Sequence, residues 1–198
     1  GRPIVSDDMK MWANFGVDLS DTLELYGHAN YNSKEVDGGF FFRNPTNRGA
    51  VYSGDGGATL LIGDLTPDGN GNCPVVALDG NIPDPVAFAQ VQADPNCFSF
   101  QETITGGFTP RFGGDISDIS FLLGLRGEIN DNLRWDVSAY LGEHEADFFI
   151  NNTVNASLGP DTPRDFDPGL YKQTDTNFNA DLSWTVSDTL NIGFGGEF

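Results

Sequence analysis

Residues 177–198 read NFNADLSWTVSDTLNIGFGGEF, and this stretch decides the fold class. Apolar side chains occupy alternate positions on both sides of the polar segment Ser187-Asp188-Thr189. A period of two is the pattern of a β-strand with one apolar face. Ser and Asp favour a tight turn, because their short side chains hydrogen-bond nearby backbone groups. The stretch therefore predicts a β-hairpin.

The same turn pattern occurs twice more, as Leu19-Ser20-Asp21-Thr22-Leu23 and Ile129-Asn130-Asp131-Asn132-Leu133. Asp21, Asp131 and Asp188 mark the three predicted turns. Three polar residues separate the apolar pair in every copy, so the apolar residues of both arms fall on one face of each hairpin. We therefore expect three hairpins and about six strands.

The arms of these hairpins are long. We expect strands of ten residues or more on each arm, whereas strands of soluble sandwiches cluster near five or six residues. The opposite face is polar and includes Asp18, Glu24, Arg126, Glu128, Arg134 and Asp136. Strands of about ten residues with one apolar and one polar face are typical of transmembrane β-barrels.

Two segments between the hairpins are rich in Gly, Pro, Asn and Asp: residues 33–114 and 151–172. In an up-and-down sheet such long connections share one end, and the short turns share the other. Outer-membrane barrels have this asymmetry, with extracellular loops and periplasmic turns. The sequence thus predicts an all-β fold, a partial antiparallel transmembrane β-barrel that spans residues 1–198.

Trp135 and Trp184 lie near predicted turns on the apolar face. This is where a membrane barrel carries its interfacial aromatic residues. The alternative is a tryptophan in the core of a soluble β-sandwich, whose strands also alternate.

Composition excludes several classes of function. With 29 acidic and 10 basic residues the formal charge is −19, which disfavours nucleic acid as a partner. No apolar run is long enough for a transmembrane helix. No nucleophile–base or paired-carboxylate spacing stands out, so we expect no enzyme. Six strands are fewer than the eight of the smallest closed bacterial barrel, so we expect a piece of a longer chain, in which further strands complete the cylinder.

The first long loop contains both cysteines, Cys73 and Cys97. An oxidising export route would pair them, and closing this loop would stabilise it by about 3 kcal/mol on the chain-entropy model. Asp84-Pro85 followed by an apolar run predicts a helix with Asp84 as its N-cap and a structural role beside the disulfide.

Two clusters have partial metal-site character. Residues 68–72, with Asp79, resemble an alternating calcium loop. Cys73 stands at the sixth position, where that loop has glycine, and Asp79 stands where it has glutamate, so a polar turn is favoured. The two histidines, His28 and His144, lie on the predicted polar face. Neither histidine matches a known metal spacing, even with the nearby acidic residues Glu143, Glu145 and Asp147, so no metal or cofactor is expected.

Several segments resemble the barrel of TonB-dependent receptors. They are FFFRNPTNRGAVY at residues 40–52, TPRFGG at 109–114, Trp135-Asp136, NTVNASLG at 152–159 and NFNAD at 177–181. Their order between the hairpins matches the family over nearly the whole chain. The energy-coupling box and the plug domain of the family are not found among these residues.

The resemblance implies an outer-membrane receptor that takes up a scarce nutrient such as a siderophore, vitamin or glycan. Its implied partners are outer-membrane lipid, the small ligand and the TonB energy-transducing complex, which acts through the plug. No ligand-contacting residue is implied, because those positions vary with the ligand. The alternatives are a passive porin and a secreted β-sandwich that binds through its loops.

Overall fold

The computed structural model describes residues 2–198 and is mostly antiparallel β-sheet. Its main feature is one sheet of six strands, in which each strand pairs with the one that comes before or after it along the chain once the short strands of the first connection are set aside. The strand order is therefore β1-β2-β7-β8-β9-β10, with the bounds given next. The six strands are β1 (Ile4–Ser20), β2 (Leu23–Gly39), β7 (Arg111–Asn130), β8 (Leu133–Asn151), β9 (Phe166–Ser187) and β10 (Leu190–Glu197). The prediction of ten or more residues for each arm is wrong for β10, which has 8 residues.

Smaller elements occupy the connection between β2 and β7. They are β3 (Gly63–Asp64), β4 (Leu78–Asp79), β5 (Ile82–Pro83), β6 (Cys97–Phe98), α1 (Pro85–Ala93) and α2 (Phe100–Thr103). β3 pairs with β6, and β4 pairs with β5. A 3-10 segment, Ala156–Asp161, lies between β8 and β9. No helix in residues 2–198 is long and apolar enough to cross a bilayer.

The structure places Asp21, Asp131 and Asp188 in three two-residue turns. In each turn the residue before the aspartate accepts a hydrogen bond from the backbone N–H two residues later. The distances are 3.3 Å for Ser20, 3.0 Å for Asn130 and 3.3 Å for Ser187. The preceding Ser or Asn is therefore the common acceptor of the repeated turn.

The strands extend further into the predicted loops than the sequence indicated. β2 ends at Gly39 and β7 begins at Arg111, so the first connection covers residues 40–110 rather than 33–114. The second covers residues 152–165 rather than 151–172, because β8 ends at Asn151 and β9 begins at Phe166. These strand ends are rich in Gly and polar residues and carry only scattered apolar ones, so they lack the alternation that identifies a strand.

The chain forms two compact units. The sheet unit contains residues 4–36, 114–148 and 169–198, and the loop unit consists chiefly of residues 37–113 and 149–168. The sheet unit therefore holds the three hairpins, and the loop unit holds both long connections.

In the sheet unit one face is apolar and uncovered. Its outward side chains remain exposed, for example 42% for Val137, 54% for Phe178 and 58% for Phe194. Trp184 is 45% exposed on this face, and Trp135 lies over Gly127, where an added Cβ would come within 3.0 Å of its Nε1. No second sheet shields these side chains within the unit.

The loop unit contains two small hydrophobic cores. The first consists of Leu60, Val76, Val91 and Cys97, with Cys73 and residues of α1 packed against it. The predicted disulfide Cys73–Cys97 is confirmed. The predicted helix is also confirmed: Asp84 Oδ1 accepts hydrogen bonds from Val86 N at 3.0 Å and Ala87 N at 2.7 Å.

The second core joins the two connections. Tyr52, Phe100 and Phe108 are buried together, and Val154 and Ala156 of the second connection pack against them. Tyr52 is fully buried and its hydroxyl donates to the carbonyl of Ile104 at 2.8 Å. Both connections are therefore folded parts of one unit.

Candidate functional site

The polar face of the sheet unit forms a groove of about 750 Å³ near the tight turns. All six long strands contribute to it, including Asp18 of the edge strand β1 and Gly195 of the other edge strand, β10. A single groove lined from edge to edge requires the sheet to curve around its polar face. The polar face is therefore the concave one.

A network of side chains crosses the groove wall from β2 to β8. Arg126 donates to both carboxylate oxygens of Glu24, at 2.8 and 3.0 Å, and its guanidinium lies 5.1 Å from the centre of the Tyr26 ring. The Tyr26 hydroxyl donates to Asp136 at 2.6 Å. Charge-assisted contacts of this kind fix the orientation of each side chain.

Tyr26 reaches Asp136 by crossing the intervening strand β7 at Gly124. A Cβ on Gly124 would come within 2.4 Å of the tyrosine ring. Glycine is thus required at this polar-face position because a ring passes over it. Sequence alternation placed Asp136 on the polar face but could not show that Tyr26 crosses Gly124 to reach it.

The groove carries an excess of negative charge. Six carboxylates line it, against two guanidiniums. The carboxylates are those of Asp18, Asp21, Glu24, Glu128, Asp136 and Asp181, and the guanidiniums are those of Arg126 and Arg134. Arg134 pairs with Glu128 at 3.0 Å. A concave surface with this balance favours cations and water over anions.

The two histidines take part in separate contacts on the polar face. His28 stacks on Trp12 with ring centres 5.0 Å apart. His144 Nδ1 lies 2.6 Å from Asp118 Oδ1, and the other carboxylate oxygen of Asp118 accepts from Asn32 at 3.1 Å. The structure therefore does not bring the two histidines into one site.

The acidic residues beside His144 in sequence have a different partner. Lys172 Nζ lies 2.6 Å from a carboxylate oxygen of Glu143 and 3.5 Å from one of Glu145. Among residues 2–198 no group of three His, Cys, Asp or Glu side chains is arranged to hold a metal ion.

The calcium-like segment forms hydrogen-bonded turns. Asp68 Oδ1 accepts from Asn70 N at 3.3 Å, and Asp64 accepts from Thr66 and from Gly71 N, the latter at 2.6 Å. Hydrogen bonds from Thr66 lower the pKa of Asp64, and hydrogen bonds from Asn70 lower the pKa of Asp68. Asp79 lies in β4 and pairs across to Ile82.

Two further groups in the loop unit have shifted pKa values. Hydrogen bonds from Thr59 and Ser53 lower the pKa of the Asp55 carboxyl, because they stabilise its charged form. Burial raises the pKa of the Tyr52 hydroxyl to about 12. Both groups stabilise the loop unit near neutral pH in their usual protonation states.

Arg164 attaches the second connection to the aromatic core. Its guanidinium lies 5.3 Å from the centre of the Phe108 ring, and its Nε donates to the Thr153 carbonyl at 2.8 Å. Its Nη2 also donates to the side-chain oxygen of Asn152. Sequence reasoning did not identify Arg164, because its partners are either distant in sequence or backbone atoms.

No known protein family, curated protein or solved structure matches this chain.

Proposed function

We propose that this chain is a section of the wall of an outer-membrane nutrient receptor. The apolar face of its sheet contacts lipid, its concave polar face lines the passage, and its loop unit captures the ligand outside the cell. The observation that carries this proposal is an exposed apolar belt of uniform height on the convex face of one curved sheet.

The belt ends sharply on the side away from the tight turns. On β8 it runs over alternate residues from Leu133 to Leu141, and on β9 from Val186 back to Phe178. The next outward residues are Glu143 and Thr176. Five alternate positions cover nine residues of strand, which matches the 9–11 residues that a tilted strand needs to cross a bilayer.

The exposed belt argues against the β-sandwich alternative. A soluble sandwich buries the apolar face of each sheet against a second sheet. Here the large belt side chains other than Leu133 and Trp135 are 42–56% exposed, and soluble proteins rarely expose an apolar patch of more than a few hundred Å². Lipid is the cover that fits a convex apolar surface.

The edges of the sheet imply further strands in the functional wall. β1 and β10 have one unpaired side each in the six-stranded order. Unpaired N–H and C=O groups in lipid cost several kcal/mol each. The proposed wall therefore works only when other strands, from a longer chain or from other copies, close it.

Tryptophan quenching tests the lipid contact. The full chain would be folded in detergent micelles doped with lipid brominated on its acyl chains, on a Trp12→Phe background that removes the polar-face indole. We expect strong quenching of Trp135 and Trp184. A variant that keeps only Trp12 is the matched control and should be quenched weakly. A chain that stays folded and monomeric without detergent would overturn the proposal.

A charge placed in the belt provides a second test. Val137→Arg puts a guanidinium at the third of the five outward positions on β8, where membrane barrels lose about 2–4 kcal/mol. Val75→Arg, in the loop unit at 75% exposure, is the control and should have no effect. Equal folding yields of the two variants in lipid would contradict a lipid-facing belt.

A passive pore is the second candidate, favoured by the open acidic groove. A TonB-energised receptor needs energy for uptake, whereas a passive pore does not. In producing cells, uptake through a TonB-energised receptor should stop when an uncoupler collapses the proton-motive force. Uptake that continues at the same rate would support a porin that prefers cations.

A further inference from the structure

Arg43 and Arg48 of the loop unit have no carboxylate partner, and within residues 2–198 the same is true of Arg2, Lys34 and Arg164. The chain has 29 acidic residues and only 10 basic ones. Five cations form ion pairs with carboxylates: Lys10, Arg111, Arg126, Arg134 and Lys172. Within residues 2–198, Arg43 and Arg48 form no ion pair, although acidic residues outnumber basic ones about threefold.

A tight turn holds these two arginines near each other. Arg43 is fixed by backbone hydrogen bonds with Phe108, at 2.6 and 3.2 Å. Asn44 Oδ1 then accepts from Thr46 N at 2.9 Å, and the Asn44 carbonyl accepts from Arg48 N at 3.2 Å. The turn therefore brings the backbone of Arg48 next to that of Asn44, which directly follows Arg43.

The arrangement has an electrostatic cost. Burial lowers the pKa of Arg43, and the positive charge of Arg48 lowers it further. A protein with many spare carboxylates could have neutralised either one. A bound anion would relieve the repulsion, and the planar guanidinium suits a carboxylate or phosphate because it donates two parallel hydrogen bonds.

An exposed aromatic group lies beside the pair in the chain. Phe41, two residues before Arg43, exposes 85% of its surface, and Phe40 and Phe42 expose 46% and 56%. Phe40 stacks against Phe112 and Phe42 lies over Gly107, so these two rings are partly anchored. Phe41 offers a free ring face for a flat ligand.

We infer that Arg43, Arg48 and Phe41 form a binding site for an anion that carries an aromatic ring. The two guanidiniums bind the carboxylate or phosphate group, and the phenyl ring of Phe41 packs on the ring of the ligand. This inference rests on the proposed function, because it names the ligand class that the loop unit of a nutrient receptor captures. The groove of the sheet unit has the opposite charge and is not the anion site.

Ligand-observed NMR on the full chain in zwitterionic detergent micelles tests the site, with protein-free micelles subtracted. The probes are phenyl phosphate, inorganic phosphate and benzylamine. Phenyl phosphate should bind at least tenfold more tightly than benzylamine, because a ring with a cationic group meets two guanidiniums. High salt should weaken the binding of phenyl phosphate, because the contact is exposed.

Variants separate the two parts of the site. The double variant Arg43→Gln with Arg48→Gln should bind phenyl phosphate at least tenfold more weakly, and Arg43→Lys with Arg48→Lys should recover part of the loss. Arg134→Gln, in the groove, is the matched control and should bind within twofold of the wild type. Phe41→Ala should weaken phenyl phosphate severalfold but leave inorganic phosphate unchanged.

The intact disulfide, read by mass, and resistance to thermolysin show that the loop unit of each variant is folded. A folded wild-type chain that does not bind phenyl phosphate would overturn the inference, as would a folded double glutamine variant that binds like the wild type. Tryptophan quenching reports the proposed function separately. Binding of phenyl phosphate without lipid quenching would refute the membrane wall and support the anion site. Lipid quenching without binding would support the membrane wall and refute the anion site.

Discussion

The loop unit and the sheet unit bury their apolar residues in opposite ways. Within residues 2–198 eight hydrophobic residues are buried: seven belong to the loop unit, and Ala146 alone belongs to the sheet unit. The loop-unit residues are Tyr52, Leu60, Val76, Val91, Cys97, Phe100 and Phe108. The sheet unit instead exposes most of its large apolar side chains on one face.

The difference identifies what stabilises each unit. The loop unit has two internal cores, a disulfide and a capped helix, as a small water-exposed domain does. The sheet unit has backbone ladders and polar cross-strand contacts but almost no internal apolar core. Its remaining stabilisation must come from whatever covers its apolar face.

The two units can be followed separately. All three tryptophans, Trp12, Trp135 and Trp184, lie in the sheet unit, so indole fluorescence reports that unit alone. Cleavage by thermolysin within residues 40–110 reports the loop unit. We therefore expect a substitution confined to one unit to change the signal of that unit and to leave the other signal unaltered.

Matched phenylalanine substitutions should have very different effects. Phe108 is 5% exposed in the aromatic core, and Phe108→Ala should destabilise the loop unit by about 4 kcal/mol. Phe194 is 58% exposed on the belt, and Phe194→Ala should cost the sheet unit about 1 kcal/mol or less in micelles. Urea titrations with the two reporters measure both values. A larger loss at Phe194 would mean that the belt is an internal core.

Removing the disulfide should affect the loop unit only. Cys73→Ser with Cys97→Ser opens a loop with a sequence separation of 24 residues, and chain entropy predicts a loss of about 3 kcal/mol. Thermolysin should cut the variant at a lower urea concentration, whereas tryptophan fluorescence should show an unchanged sheet unit. A parallel loss in both signals would show that the sheet depends on the loop for its stability.

Removing a tyrosine hydroxyl should cost more in the loop unit than in the sheet unit. Tyr52→Phe removes a fully buried hydroxyl that donates to the carbonyl of Ile104; because this carbonyl still accepts from Gly107 N, the cost should be about 1.5 kcal/mol. Tyr26→Phe removes a donor to Asp136 on the open groove, where water can replace it, and should cost about 1 kcal/mol. The same urea titrations measure the loss of stability in each variant. A larger loss for Tyr26→Phe than for Tyr52→Phe would contradict the expected effect of burial.

The smallest effect should be an acid-dependent loss of loop stability. The pKa of Asp55 is lowered in the folded chain, so its contribution is present above its unfolded value near 4 and is lost as the pH falls through the folded value. Pepsin midpoints at pH 4 and pH 2.5, corrected for protease activity, should differ less in Asp55→Asn than in the wild type. An equal difference would assign the acid sensitivity to other groups.

At the opposite end of the pH scale, Tyr52 gives the complementary test. Its pKa is raised to about 12, so the folded state keeps the neutral hydroxyl and loses stability as the pH rises above the unfolded value near 10. Tyr52→Phe should remove this alkaline loss. Persistence of the loss would indicate another titrating group.

Local patterns in the sequence predicted much of the fold. The six long strands, the three turns, the helix after Asp84 and the Cys73–Cys97 disulfide all follow from such patterns, and the structure confirms them. These features depend on alternation, on turn and capping chemistry, and on a pair of cysteines with no competitor. The alternation, turn and capping signals each lie within a few residues of sequence, and two cysteines allow only one pairing within the chain.

The tertiary structure alone determined which distant side chains meet. Glu24, Arg126 and Asp136 come from three strands, and their contacts depend on register and on a glycine over which Tyr26 can pass. The aromatic core and the lack of a carboxylate beside Arg43 and Arg48 likewise depend on how the loop unit packs. Such contacts join residues up to 110 positions apart, and no local pattern encodes that separation.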